Sequence, residues 1–172
     1  MIRDPKPEET ASDDNRFEAA RLEDPLKSLR LRPPVKVSLG SELIDAIVKM
    51  RESGVGSCLI EDGGGALAGI LTERDLLNKM PFDGAGLGSA TVDDFMHANP
   101  ETLSPDHPIA FALNRMAGGG YRNLPLVDDS GGAVGLVTLR DIVEEICEQF
   151  SEEVLCIPPT RRAAIAKERE GA

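Results

Sequence analysis

The sequence predicts an α/β (α+β) fold made of two tandem β-α-β-β-α repeats that pack on one another. Three observations predict it: an internal repeat without gaps, a helical apolar period followed by short apolar runs in each copy, and an aliphatic composition. Shifting the chain by 66 positions lays residues 34–80 on residues 100–146. Pro34 falls on Pro100, Ala46 on Ala112, Met50 on Met116 and Gly54 on Gly120. Gly69, Thr72, Arg74 and Asp75 fall on Gly135, Thr138, Arg140 and Asp141. Apolar character persists at Val37/Leu103, Leu43/Ile109, Ile60/Leu126, Leu71/Val137 and Leu76/Ile142. Self-similarity at one fixed spacing means that a single supersecondary unit is used twice.

Each copy reads in the same order. An extended segment opens it, Val35-Lys36-Val37 or Glu101-Thr102-Leu103, and ends at Ser38 or Ser104. Next, Leu43, Ile47 and Met50, or Ile109, Leu113 and Met116, recur at i, i+4, i+7, the spacing of one helical face. Gly54 and Gly118–Gly120 are the stop signals. Two apolar runs follow, Ser57–Ile60 and Ala66–Leu71 in the first copy, Asn123–Val127 and Ala133–Val137 in the second. Turns rich in Asp and Gly, Glu61–Gly65 and Asp128–Gly132, join each pair as a hairpin. A second helix begins at Thr72 or Thr138. A unit of about 55 residues buries too little apolar surface to be comfortable alone, so the copies are expected to pair. The resulting organisation is a flexible acidic arm (1–21), a first repeat (22–80), a linker (81–90), a second repeat (91–150) and a helical tail (151–172).

Composition narrows the function classes. Of the 172 residues 41% are hydrophobic but only 3% aromatic, with no Trp and a single Tyr, Tyr121. The core must be aliphatic, and a base-stacking platform for single strands is disfavoured. Asp and Glu outnumber Lys and Arg by 30 to 19, a net charge of −11. That balance opposes binding to nucleic acid or to an anionic membrane and leaves room only for a local basic pocket. No run of about 18 apolar residues spans a membrane, and the first 20 residues lack the apolar stretch of a signal peptide. A soluble, cytoplasmic chain is expected. Cys58, Cys147 and Cys156 form no CxxC and no metal spacing, as reduced thiols do. His97 and His107 belong to no ligand cluster, so no metal is expected. Neither Gly63–Gly65 nor Gly118–Gly120 is followed by Lys-Ser/Thr, so neither is a P-loop. No nucleophile, base and orienting group recur together. A binding module, not an enzyme, is expected.

Thr72-x-x-Asp75 and Thr138-x-x-Asp141 stand where a strand gives way to a helix, and two readings attach to them. One is a capping box, with Thr as N-cap and Asp at the third helical position. The other is an anion site, because a helix N-terminus offers free N–H groups and partial positive charge. Arg74 and Arg140, inside the motifs, are either available cations or partners of a neighbouring acid.

Gly69-Ile70-Leu71-Thr72-Glu73-Arg74-Asp75, its mate Gly135-Leu136-Val137-Thr138-Leu139-Arg140-Asp141, and the strand Tyr121-Arg122-Asn123-Leu124-Pro125-Leu126-Val127-Asp128 resemble the cystathionine β-synthase (CBS) domain. The tandem resembles a CBS-domain pair over about residues 22–150. The resemblance implies pseudo-twofold packing, a homodimer, and regulation of a separate protein target in trans. It also implies a regulatory ligand containing adenosine: AMP, ADP or ATP, with S-adenosylmethionine or NAD as alternatives. Asp75 and Asp141 would accept ribose hydroxyls, and Thr72 and Thr138 would flank phosphate. The base would lie between the segments near Val35–Val37 and Pro100–Thr102, against Leu59 or Leu124. Arg122 and Asn123, followed by Leu124 and Pro125, have Gly56 and Ser57 as counterparts in the first copy. That difference makes the second copy the better phosphate site, with Arg74 and Arg140 as the further cations. A ligand-free scaffold in which the motifs are only helix caps is the alternative.

Overall fold

The computed structural model describes residues 22–81 and 87–149; the expected arm, the expected tail helix and Cys156 lie outside the described residues. Strand β1 (Lys36–Ser38), helix α1 (Leu43–Ser53), strands β2 (Ser57–Glu61) and β3 (Leu67–Thr72) and helix α2 (Glu73–Lys79) form the first copy. A short helix α3 (Val92–Phe95) and a two-residue strand β4 (His97–Ala98) lead into the second. It comprises α4 (Ile109–Gly119), β5 (Asn123–Val127), β6 (Ala133–Thr138) and α5 (Leu139–Gln149). One sheet has the order β1-β2-β3-β4, parallel only between β1 and β2; the other is the β5-β6 hairpin. Among the described residues no helix is long and apolar enough to cross a membrane.

The expected β-α-β-β-α order is present, with three differences. Residues 101–103 form no strand, only a parallel bridge from Leu103 to Leu126. In the first copy the Leu59 amide donates to the Val35 carbonyl at 2.9 Å. Its counterpart is Pro125, which has no N–H to give Glu101, so the pairing shrinks. Helix α4 runs through Gly118 and Gly119 and stops only at Gly120, where φ reaches 69° in the left-handed region, as α1 stops at Gly54 with φ 64°. Finally, α3 and β4 have no counterpart in the sequence reading. β4 pairs with the motif strand β3 across Gly69. A Cβ on Gly69 would stand 2.5 Å from Met96 Sδ and 3.0 Å from the His97 carbonyl oxygen, so this approach requires glycine.

The lead-in segments are exchanged between the copies. Leu26 and Leu29 belong to the core of the second copy, with Leu103, Ile109, Met116, Leu124, Leu126, Val137 and Ile142. Val92 and Phe95 belong to the core of the first, with Val37, Leu43, Met50, Cys58, Ile60 and Leu71. Backbone hydrogen bonds repeat the exchange in register. Leu43 donates to Ala90 and Val92 to Ser41; in the mate positions Ile109 donates to Asp24 and Leu26 to His107, all at 2.9–3.0 Å. This reciprocity is the pseudo-twofold axis expressed in single bonds. Burial pushes the Cys58 thiol up to about 11, a little offset by Lys49, so this cysteine is an inert core residue.

A third apolar layer, Leu59, Ile70, Ala133 and Leu136, lies between the copies. This is why β2 is buried along both faces: Cys58 and Ile60 point into one layer and Leu59 into the other. The two hairpin tips meet, with Leu67 donating to the Gly131 carbonyl at 3.0 Å. Lys36 Nζ crosses between the copies, donating to Glu61 Oε1 at 2.7 Å and to the Ala133 carbonyl at 2.5 Å.

Each tip is folded around an aspartate. Asp128 Oδ1 accepts from Ser130 Oγ and from the amides of Ser130 and Gly132, at 2.6–3.0 Å. The Ser130 hydroxyl, followed by the Gly132 amide, holds the Asp128 carboxyl below its usual 3.8. A carboxyl with a depressed folded pKa adds stability above its unfolded pKa and loses it as pH falls through the folded value. Asp128→Ala is therefore expected to melt below the natural protein at neutral pH, with the gap narrowing below about pH 3.8. Melting curves across that range check this; a gap independent of pH would contradict it.

Candidate ligand-binding cleft

The site begins with two helix starts built alike. Asp141 N donates to Thr138 Oγ1 at 3.2 Å, while Thr138 N and Oγ1 donate to Asp141 Oδ2 at 2.8 and 2.7 Å. At Thr72 and Asp75 the same three distances are 3.2, 2.9 and 2.5 Å. Both motifs are thus capping boxes. Capping does not exhaust them, because these bonds engage Oδ2 alone and leave Asp141 Oδ1 as an acceptor. The Thr138 hydroxyl proton is spent on Asp141, and the first helical amide, Leu139, donates to the Arg122 carbonyl at 2.9 Å. A phosphate at this end of α5 would therefore need other donors.

A cleft of about 180 Å³ supplies them. Arg32, Pro33, Pro34, Val35 and the Gly54–Ser57 turn line it from the first copy; Asn123, Leu136, Thr138, Arg140 and Asp141 line it from the second. Prolines and Val35 give it an apolar strip, Asp141 an acceptor, and Arg32 and Arg140 two guanidinium groups. Arg140 Nε donates to Glu144 Oε1 at 2.6 Å, with the two side chains 77% and 48% exposed. That hydrogen bond, with Arg32 adding its charge, holds the Glu144 carboxyl below its ordinary range. An exposed pair of this kind is screened by solvent and contributes little, so a ligand anion can compete with Glu144 for Arg140.

Of the residues singled out in the sequence, Asn123, Thr138, Arg140 and Asp141 are brought together here. Thr72, Arg74 and Asp75 stand at the mate position, at the start of α2, and do not line this cleft. Leu124 is buried in the core of the second copy, and Pro125 is fully buried. Thr102 is half-buried on the lead-in of the second copy, and Arg122 is exposed; neither lines the cleft. The copies cross over: the turn beside Asp141 is Gly56-Ser57 of the first copy. The cations at Asp141 are thus Arg32 and Arg140. Arg32, Pro33, Pro34 and the Gly54–Ser57 turn were not legible as site residues, because nothing in a linear repeat says which copy's lead-in meets which motif. The rigid Pro33-Pro34 pair before β1 is the one local signal.

Fold and cleft together define a pseudo-twofold pair of small α/β repeats with a cleft lined by residues of both copies. The family model for the CBS domain matches residues 26–81 and 92–148, and the chain belongs to that family. It is 34% identical over 121 residues to the uncharacterized protein MK0525 of Methanopyrus kandleri, covering 64% of this chain and 62% of that one. It is 32% identical over 114 residues to CBSX3, a mitochondrial CBS domain-containing protein of Arabidopsis thaliana, covering 64% and 55%. The chain thus spans less than two thirds of either relative. Among solved structures, the CBS domain protein PAE2072 of Pyrobaculum aerophilum, complexed with AMP, matches with TM-score 0.62 at 20% identity, covering 68% of this chain and 88% of that one. The CBS domain pair of protein MJ0100, in complex with 5'-methylthioadenosine and S-adenosyl-L-methionine, matches with TM-score 0.65 at 23% identity, covering 73% and 97%. At these identities the likeness is one of fold.

Proposed function

We propose that this chain is a regulatory module, not an enzyme, that binds an adenosine nucleotide in the cleft beside Asp141 and controls a separate protein in trans. The observation that carries the reading is the cleft's make-up: an aspartate oxygen left over from capping and two guanidinium groups, arranged around an apolar strip. The strip takes the purine, Asp141 Oδ1 accepts from the ribose, and Arg32 and Arg140 hold phosphate. Guanidinium groups suit phosphate, which they bind through paired charge-assisted hydrogen bonds. They repel the sulfonium and ammonium groups of S-adenosylmethionine. AMP, ADP, ATP and NAD share the required phosphate. The fold's relatives solved with AMP, and with methylthioadenosine and S-adenosylmethionine, support an adenosine ligand.

Because both copies line the cleft, a ligand there favours one packing of the copies over another. The output is limited to its difference in affinity for the two. Leu77 on α2 and Val143 on α5, at the same place in each copy, are 83% and 47% exposed and offer apolar surface to a second protomer or to the target.

A thermal-shift panel on nucleotide-free protein tests the reading. A ligand at a hundred times its Kd adds about 2.7 kcal/mol, a rise on the order of 5–11 °C for a chain of this size. The rise is expected with AMP or a relative and smaller with S-adenosylmethionine. No rise with any of them would leave the motifs as caps and the chain as an interaction scaffold. Glu144→Gln, which releases Arg140, is expected to tighten nucleotide binding about two- to fivefold, by removing a competing exposed ion pair. Calorimetric titration checks this, and weaker binding would contradict Arg140 as a phosphate partner.

A further inference from the structure

We infer, building on the cleft reading above, that each chain takes a single nucleotide and that Glu101 closes the pseudo-twofold mate of the cleft. The repeat register carries Val35 onto Glu101, Val55 onto Tyr121 and Arg32 onto Ala98. The apolar wall beside Asp141 thus becomes, beside Asp75, a carboxylate and a phenol. Arg115 Nε donates to Glu101 Oε1 and the Tyr121 hydroxyl to Glu101 Oε2. Both carboxylate oxygens are therefore anchored, whereas Glu144 at the open cleft is held through one oxygen by a largely exposed arginine. A purine laid on this wall would strip water from an anchored charge, which is costly where the same base on Val35 gains. Glu73 marks a second difference between the copies: it stands at the first helical position of α2, where the second copy has the apolar Leu139. With Asp75, it puts two acidic residues in the first turn of α2.

Calorimetric titration of AMP into the full chain, freed of nucleotide, tests this. The expected result is one AMP per chain, an affinity within about twofold of the natural value in Asp75→Ala, and at least a tenfold loss in Asp141→Ala. Glu101→Val, which gives the mate the residue found at position 35, is expected to add a second, weaker site. Two equivalent sites in the natural chain, or a loss that follows Asp75, would overturn the inference while leaving nucleotide binding intact. A Glu101→Val chain that still takes one AMP would overturn the role of Glu101. No binding by any variant would overturn the cleft reading itself, and this inference with it.

Discussion

Asp141→Asn is expected to weaken nucleotide binding by about ten- to a hundredfold while leaving the protein folded. A hydrogen bond to a charged group contributes about 1.5–3 kcal/mol, and each 1.4 kcal/mol is tenfold in affinity. Asparagine can still accept from the Thr138 amide, which is the bond that closes the capping box. What it loses is the favourable negative charge in the first turn of α5, about 0.3–1 kcal/mol. That is a melting shift of roughly 1–4 °C at this size. Asp141→Ala removes the acceptor as well and costs about 0.5–2 kcal/mol of stability. The two variants thus separate binding from capping: affinity falls in both, and stability falls appreciably only in the alanine. Titration and melting curves on the pair check it. Affinity that tracks melting temperature, and survives in the asparagine variant, would reduce Asp141 to a cap.

Leu26→Ala is expected to have the largest effect on stability, although Leu26 lies outside the compact body of its own repeat. Its side chain is fully buried in the core of the second copy, between elements that follow it by some eighty residues or more. Truncating a buried leucine costs about 2–5 kcal/mol, the lost transfer energy plus the cavity left behind. For this chain that is a drop on the order of 5–15 °C in Tm. The neighbouring Lys27–Asp106 ion pair makes the control, since its side chains are 62% and 71% exposed and such pairs contribute at most about 1 kcal/mol. Hydrogen exchange locates the damage: protection should fall first at Leu124, Leu126 and Val137. Loss confined to β2 and β3 would contradict the exchange of lead-in segments.

Much of this architecture was legible in the sequence because the repeat supplies its own alignment. Buried positions recur at one spacing, so Leu43, Ala46 and Met50 announce Ile109, Ala112 and Met116 as the matching helix face. The capping boxes were legible because Thr-x-x-Asp at a strand end specifies a local geometry. The exchange of Leu26 and Val92 between cores was not, since an apolar residue in a short polar segment carries no label for the copy that buries it. The same ignorance hid Arg32, Pro33 and Pro34, which reach the second motif only because the copies pair as they do. Arg122 stands beside Asn123 in the chain and its carbonyl accepts from the Leu139 amide, but of the two only Asn123 lines the cleft. Local chemistry is written in the chain, whereas the partner across an axis is set by the packing of two finished units.

The most direct test of the shared cleft is a titration of the ¹⁵N-labelled full chain with AMP, followed amide by amide. Perturbations should cluster at Gly54–Ser57, Asn123 and Thr138–Asp141, drawing on both copies at once and sparing Thr72–Asp75. Perturbations centred on Thr72–Asp75, or none anywhere at saturating AMP, would contradict a nucleotide site built between the first copy's lead-in and the second copy's motif.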